Sequence, residues 1–160
     1  SIITLCYNYA MTQNTKLSDN FSRDDFACSC GRCDKEFRMS LGIIGILEHL
    51  FHRFGQSVTI RRAYVCEDES KAQFGSSKDY HHAGKAVDVS IADVALEDIF
   101  KEVEAMPEVT GLGFLPHENH IHIDLRDKDR EIWLEERKEK LTLTPQKRQQ
   151  YNLVQPETQI

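Results

Sequence analysis

Two short segments that alternate apolar and polar residues constrain the fold of this chain more than any other feature. In KAVDVSI (85–91), Val87 and Val89 flank Asp88, and in HIHIDL (120–125) the isoleucines alternate with two histidines and an aspartate. Because successive side chains of a strand point to opposite faces, each segment predicts a half-buried strand with its apolar residues toward the core. The ionisable residues then share the other face, which borders either a groove or solvent.

The remaining elements follow from apolar spacing and turn residues. Between Ser40 and Phe54 the apolar residues recur at helical spacing, with Ser40 placed to cap the start and Gly55 to end the helix. A polar loop is expected between the first two strands. The order of elements predicts an α+β fold with a small, mostly antiparallel sheet and flanking helices. The predicted strands are 57–64, 85–91, 109–115 and 120–125, and the predicted helices are 40–54, 94–106 and 129–141.

Length and composition are those of one globular domain. The chain has 160 residues, of which 40% are hydrophobic and 29% charged. We expect residues 1–20 to be a loosely ordered N-terminal segment, 21–141 to form the domain and 142–160 to be a C-terminal extension. The net charge of −6 disfavours nucleic-acid binding. No apolar run approaches the ~20 residues of a membrane span, and the N-terminus has no visible leader peptide.

Metal-ligating residue types occur on and beside the two alternating strands. A catalytic zinc site needs three protein ligands and an open position for water. His81 and Asp88, with Gly84 between them to allow a tight turn, are spaced to supply two ligands. His120 or His122 would then supply the third. From the residues alone, a metal site is one hypothesis. The alternative is that these polar side chains form a strand face exposed to solvent.

Two motifs resemble those of a known family. The stretch from His81 to Asp88, HHAGKAVD, matches the H-x-x-G-x-A-x-D motif of the M15 zinc peptidases. GLGFLPHENHIHIDLR (111–126) resembles the second motif of that family, a Gly-x-Gly strand followed by a strand with H-x-D. LSDNFSRDDFACSC and VTIRRAYVC resemble segments that precede the first motif in one branch. The resemblance spans Leu17 to Trp133 and implies a hedgehog-type, D,D-peptidase-like fold.

The resemblance also implies roles for residues. Some family members have a carboxylate three residues before the last ligand, where this chain has Asn119. Others have H-x-H at the last ligand, so His120 is expected to transfer a proton or to stabilise an oxyanion. Glu118 is the second candidate for this role. The zinc ligands implied by the motifs, with water in the fourth position, are His81, Asp88 and His122.

Three further residues are expected to support a ligand or to contact the substrate. Asp124 would hydrogen-bond a ligand histidine or pair with Arg126. Asp79 replaces a serine that is usual in the family, and it either tunes the site or is only a loop residue. Arg62 is the third residue expected to support a ligand or to contact the substrate.

The chain departs from the family at one arginine. The family strand usually reads S-G-Y-R, and Val65 occupies the arginine position here. Arg61 or Arg62 would have to replace it, although adjacent strand residues normally point to opposite faces.

Cysteines suggest a second site. Three of the five cysteines form a C-x-C-x-x-C motif, and a fourth follows the strand expected to pack nearby. Four thiolates could bind a structural zinc ion, or two of them could form a disulfide if the protein is exported. The residues concerned are Cys28, Cys30, Cys33 and Cys66.

The function implied by the resemblance is zinc-dependent hydrolysis of amide bonds in peptidoglycan stem peptides, by a carboxypeptidase or an endopeptidase. The family includes D,D-carboxypeptidases, D,D-dipeptidases and phage L,D-endopeptidases. Peptidoglycan peptides are the expected partners, in the bacterial cell envelope (periplasmic or extracellular) or in association with a phage. Val65 and Asn119 favour an alternative, a catalytically inactive zinc-binding module that holds a cell-wall peptide or a protein partner. A third interpretation is a structural domain without metal at the histidines.

Overall fold

The strands of the chain form one sheet in the order β1-β2-β4-β3-β5-β6. The computed structural model describes residues 14–75 and 79–154, so the predictions for 1–13 and 155–160 lie outside the described residues. Neighbouring strands are antiparallel except β3 and β5, which run parallel. The predicted α+β fold with a mostly antiparallel sheet is therefore confirmed. The strands are β1 (Val58–Arg62), β2 (Ala86–Ile91), β3 (Gly111–Leu115), β4 (His120–Asp124), β5 (Glu131–Glu136) and β6 (Glu139–Thr142).

One face of the sheet is covered by helices and forms the core. The apolar positions of β2 and β4 point to this face, and their side chains are buried. The described residues include five helices, none of them long and apolar enough to cross a bilayer. The helices are α1 (Arg23–Phe26), α2 (Leu41–Phe54), α3 (Glu67–Phe74), α4 (Leu96–Glu104) and α5 (Pro145–Gln150). The core side chains of β2, β4, α2 and α4 include Val87, Val89, Ile121, Ile123, Ile43, Leu47, Leu50, Ile99, Phe100 and Val103.

Helix α2 begins and ends where the sequence predicts. The Ser40 hydroxyl accepts a hydrogen bond from the Gly42 backbone N–H at 3.2 Å, which satisfies one free donor of the first turn. Gly55 ends the helix with a φ of 64°, a conformation that glycine adopts at little cost. The apolar face between these caps packs against the sheet. Local capping chemistry and apolar spacing therefore agree in defining this helix.

The helix predicted for residues 129–141 is wrong, because this segment forms the hairpin of β5 and β6. Arg137 and Lys138, with φ values of 52° and 68°, make its two-residue turn. Ile132 and Leu134 pack on the core, while Trp133 between them points to the opposite face. The loop predicted before β2 also differs from the structure, since it contains α3.

The described part of the predicted C-terminal extension packs on the core. The Thr144 hydroxyl caps α5 by accepting a hydrogen bond from the Lys147 backbone N–H at 3.2 Å. Arg148 of this helix pairs with Glu104 of α4 at 2.5 Å. Leu153 lies beyond the helix and is fully buried in the main core. The chain after β6 therefore contributes apolar burial.

We expect Leu153→Ala to lower the free energy of unfolding by about 2–5 kcal/mol, because it removes a fully buried side chain and leaves a cavity. Urea denaturation measures this change. Val154→Ala is the matched control, since Val154 is 55% exposed, and its effect should stay within about 0.5 kcal/mol. Equal effects of the two substitutions would contradict the packing of Leu153.

Candidate metal centre

A row of paired residues crosses five strands on the face of the sheet opposite the core. Arg62 of β1 pairs with Asp88 of β2, and Asp88 pairs with His122 of β4. His122 pairs in turn with Gly113 of β3, which pairs with Trp133 of β5. Paired residues of neighbouring strands carry their side chains on the same face. The row therefore brings a guanidinium, a carboxylate, an imidazole and an indole together.

A β-bulge in β1 places both Arg61 and Arg62 on this face. The pairing of β1 with β2 shifts between Ile60 and Arg62. Arg62 Nε donates to Asp88 Oδ2 at 3.1 Å, and Arg61 Nε donates to Ser90 Oγ at 3.1 Å. The expectation that adjacent residues of this strand point to opposite faces is wrong here, because two residues face one partner at a bulge.

His81 reaches this row from the turn before β2. Its Nδ1 donates to the Ala63 carbonyl oxygen at 2.9 Å, and its Nε2 lies toward Asp88. Nδ1 carries the proton, because a carbonyl oxygen can only accept. Gly84 in the same turn has a φ of 70°, and a Cβ there would lie 2.8 Å from the Arg38 carbonyl oxygen. The glycine of the motif is therefore needed both for its backbone conformation and for this close approach.

The three predicted ligands converge on one point. One ligand atom from each of His81, Asp88 and His122 lies within 4.8 Å of the other two. His122 Nδ1 is 2.8 Å from Asp88 Oδ1, and His81 Nε2 is 3.4 Å from the same oxygen. His81 is 2% exposed, and among the described residues its Nε2 has no hydrogen-bond partner. Because an unsatisfied buried polar atom is costly, and two imidazoles and a carboxylate suit a transition metal, this arrangement fits a metal ion.

Burial and the neighbouring charges set the protonation states of the three converging residues. Burial lowers the pKa of His81 and so favours its neutral form. Burial would raise the pKa of Asp88, but its contacts with His122 and His81 hold that pKa well below its usual range. Burial would lower the pKa of His122, but the carboxylates of Asp124 and Asp88 raise it to about 9. A metal ion would therefore replace a proton on His122.

Asp124 holds the far side of the His122 ring. His122 Nε2 donates to Asp124 Oδ2 at 3.0 Å, and Arg126 donates to both carboxylate oxygens at 2.6 and 2.8 Å. The two alternatives predicted for Asp124 therefore occur together. Burial would raise the pKa of Asp124, but Arg126 and His122 keep it far below its usual range. A carboxylate held in this way fixes the ring and directs Nδ1 toward Asp88.

The two glycines of the Gly-x-Gly strand make room for this arrangement. A Cβ on Gly111 would overlap the Asp124 carboxylate, and a Cβ on Gly113 would lie 2.7 Å from the Trp133 ring. Trp133 packs beside His122 with ring centroids 5.3 Å apart. The helix predicted for residues 129–141 gave no indication of this contact, because it placed Trp133 on a helix rather than on a strand beside β3. The Gly-x-Gly spacing beside H-x-D was the signal that a bulky group covers this strand.

His120 lies next to the three converging residues. Its Nε2 is 3.9 Å from Asp88 Oδ2 and 3.8 Å from Glu118 Oε2. The His120 side chain is 10% exposed and that of Glu118 is 44% exposed. Asn119 follows in the turn between β3 and β4 with a φ of 53°, which asparagine tolerates better than most residues. Asn119 also lines a cleft of about 280 Å³, whose other polar walls include Thr59, Arg61 and Ser90.

Asp79 and Val65 take part in backbone contacts around the site. The Asp79 carboxylate accepts a hydrogen bond from the His82 backbone N–H at 3.0 Å and so orders the turn that carries His81. Val65 is 3% exposed, and its carbonyl oxygen accepts from His82 Nδ1 at 2.9 Å. The position that holds arginine in the family therefore contributes no positive charge, and Arg62 contacts Asp88 instead.

We expect Asp124→Asn to weaken metal binding by about 10–100-fold, because the ring of His122 loses its charged partner. Competition with a chelating dye measures the affinity. Asp127→Asn is the matched control, since Asp127 is largely exposed and pairs with Lys85. Similar affinities for the two variants would mean that Asp124 does not support the metal centre.

The four cysteines predicted to form a second site also lie together. Their Sγ atoms are all within 4.8 Å of one another. All four are free cysteines, so no disulfide joins them in the described part of the chain. Cys6 lies outside the described residues. These residues, called the cysteine cluster below, are Cys28, Cys30, Cys33 and Cys66.

Comparison with known proteins agrees with the two motifs. A model of the family described as Peptidase M15 matches residues 19–124, which is more than half of the chain. The matched range contains His81, Asp88, His122 and Asp124. No curated protein matches the chain. Both motifs and the family match thus lead to one conclusion: this chain belongs to the M15 peptidase family.

Proposed function

We propose that this protein is a zinc-dependent peptidase that hydrolyses amide bonds in peptidoglycan stem peptides. The observation that carries the proposal is the convergence of His81, Asp88 and His122, with His81 Nε2 buried and unpartnered among the described residues. A catalytic zinc site uses three protein ligands, and histidine and aspartate are among the residue types that bind zinc. Membership of the M15 family supports hydrolysis as the reaction class.

The chain's own residues have separate tasks around the metal. When held by His81, Asp88 and His122, zinc would supply Lewis acidity and would lower the pKa of water to about 7, which would provide a nucleophile at neutral pH. His120, beside Asp88, stabilises the developing oxyanion or passes a proton to the leaving amine. Glu118, close to His120 Nε2, is the second group that can carry this proton. Arg62 holds Asp88 Oδ2 and so keeps Oδ1 directed at the two histidines.

The proposed substrate class rests on the family resemblance and on the cleft that Arg61 and Asn119 line. Stem peptides end in a carboxylate, and Arg61 at the cleft offers an exposed guanidinium to such a group. This substrate would be met in the bacterial cell envelope or during phage action. A terminal carboxylate next to the scissile bond corresponds to a carboxypeptidase, whereas a bond further along the peptide corresponds to an endopeptidase.

We expect Arg62→Ala to lower kcat/KM by about 10–100-fold, because Asp88 loses the partner that orients it. Arg62→Lys should recover only part of this loss, since lysine lacks the planar guanidinium. Steady-state kinetics on a muropeptide measures both variants. Arg53→Ala is the control, because Arg53 pairs with Glu102 on the helical side of the sheet. Unchanged kinetics in Arg62→Ala would remove Arg62 from the site.

A second candidate function is a zinc-binding module that holds a cell-wall peptide or a protein without cleaving it. Two residues favour it: Val65 provides no cation at the family's arginine position, and Asn119 cannot exchange a proton at the position of a family carboxylate. In this case zinc would bind and turnover would be absent.

Mass spectrometry of purified muropeptides incubated with the protein, with and without a zinc chelator, tests the proposal. We expect a mass loss that the chelator prevents, and the size of the loss identifies the bond. Intact muropeptides in the presence of zinc-loaded protein would contradict the peptidase and support the binding module.

A further inference from the structure

The cysteine cluster has the spacing of a closed metal site. Cys30 Sγ lies 3.6 Å from Cys33 Sγ and 3.8 Å from Cys66 Sγ. Zinc–sulfur bonds of about 2.3 Å in a tetrahedron place sulfur atoms about 3.8 Å apart, whereas a disulfide joins them at about 2.05 Å. The observed spacing is therefore that of thiolates around one ion.

The backbone around the cluster is arranged to support thiolates. The Arg32 and Cys33 backbone N–H groups both donate to Cys30 Sγ at 3.4 Å. Gly31, with a φ of 73°, allows the tight turn that aims these two donors at one sulfur. The Cys66 backbone N–H donates to Cys28 Sγ at 3.4 Å. Such donors offset the negative charge that four thiolates bring to one ion.

The cluster lies outside the main apolar core. Cys28 and Cys66 are 5% and 4% exposed, and the buried residue packed with them is Tyr64. So small an apolar group buries little surface, whereas a metal ion can hold such a segment together directly.

We propose that Cys28, Cys30, Cys33 and Cys66 bind a second, structural zinc ion, separate from the histidine site. Four protein ligands fill a tetrahedral ion and leave no position for a substrate. Thiolates also select zinc over magnesium and calcium, which prefer oxygen ligands.

The second ion has a task in the proposed peptidase, because it fastens the segment that orients His81. Cys66 ends the segment 63–66, in which the Ala63 carbonyl accepts from His81 Nδ1 and the Val65 carbonyl from His82 Nδ1. The remaining three cysteines come from the loop after α1. The ion therefore ties this loop to the backbone behind the histidine site.

Zinc content of the purified full chain tests the proposal. By elemental analysis we expect two zinc ions per chain in the unaltered protein, one in Cys33→Ser and one in His122→Ala. Cys6→Ser is the matched control and should retain two, since four thiolates already complete the site. Two ions in Cys33→Ser, or one in the unaltered protein and none in His122→Ala, would overturn the second site. One ion in the unaltered protein and none in Cys33→Ser would instead support the cysteine cluster and remove the histidine site.

Two further measurements keep the test valid if Cys33→Ser does not fold. Cobalt bound to His122→Ala should give an intense thiolate-to-cobalt charge-transfer band, and Cys33→His should retain the ion with a weaker band, because three cysteines and one histidine also bind zinc. Titration of the denatured, chelator-treated protein without reductant should find all five thiols free. Absence of the cobalt band, or three free thiols, would refute the proposal in favour of a disulfide.

Amide hydrogen exchange tests whether the second ion holds the segment 63–66 that orients His81. Exchange of residues 63–66 should become faster in Cys33→Ser and return toward the original rate in Cys33→His. Unchanged exchange in Cys33→Ser would show that the ion does not fasten this segment.

Discussion

His122→Ala is expected to abolish metal binding at the histidine site and, with it, all hydrolysis. The substitution removes one of three ligands and leaves Asp88 and Asp124 facing a gap in place of a shared partner. With only His81 and Asp88 remaining, the site has too few ligands to retain zinc against a chelator. Elemental analysis and muropeptide hydrolysis measure the two losses.

Loss of the fold must be separated from loss of the metal. Near-ultraviolet circular dichroism of the unaltered protein and of His122→Ala, both as purified, reports whether the variant keeps its tertiary packing. His49→Ala is the control, because His49 lies on α2 and pairs with Glu102 away from the site, so it should retain both zinc and rate. Full activity of a folded His122→Ala would refute the ligand assignment.

His120→Ala is expected to retain zinc and to reduce kcat by about 10²–10⁴-fold, the usual contribution of a positioned acid or base. His120 Nε2 lies 3.9 Å from Asp88 Oδ2, close enough to reach a substrate held at the metal. His122, by contrast, contacts Asp88 directly and is one of the three proposed ligands. Zinc content and single-turnover rates of the same preparation separate the two roles.

His117→Ala is the matched control for His120→Ala, because His117 is exposed in the same turn between β3 and β4 and should leave the rate unchanged. Glu118→Gln tests the second candidate for proton transfer. An unchanged rate in His120→Ala together with a slow Glu118→Gln would assign the proton transfer to Glu118. A loss of zinc in His120→Ala would contradict the separation of His120 from the ligands.

The faces of the two central strands were predictable from the sequence, because alternation along a strand depends only on backbone geometry. Asp88 and His122 share the polar face of the sheet as predicted, and the isoleucines of β4 are in the core. The caps of α2 were predictable for the same reason, since Ser40 and Gly55 act on their nearest neighbours.

The hairpin of β5 and β6 was not predictable from local spacing. Glu131, Glu135 and Lys138 fit a charged helix face as well as they fit strand edges. The structure favours strands because Ile132 and Leu134 can then pack on the core while β5 pairs with β3. This pairing joins segments far apart in sequence, which no local pattern records.

The sequence by itself determined which residues share a face and, through its two motifs, which residue types belong to the site. Only the tertiary structure decided how the side chains of the site are brought together. Strand pairing places His122 rather than His120 opposite Asp88, and the bulge in β1 turns Arg62 onto the same carboxylate. Likewise, only the folded chain brings Cys66 to the three cysteines of an earlier loop. The physical reason is that side-chain direction is set by local dihedral angles, whereas register, bulges and contacts between distant segments are set by packing of the whole chain.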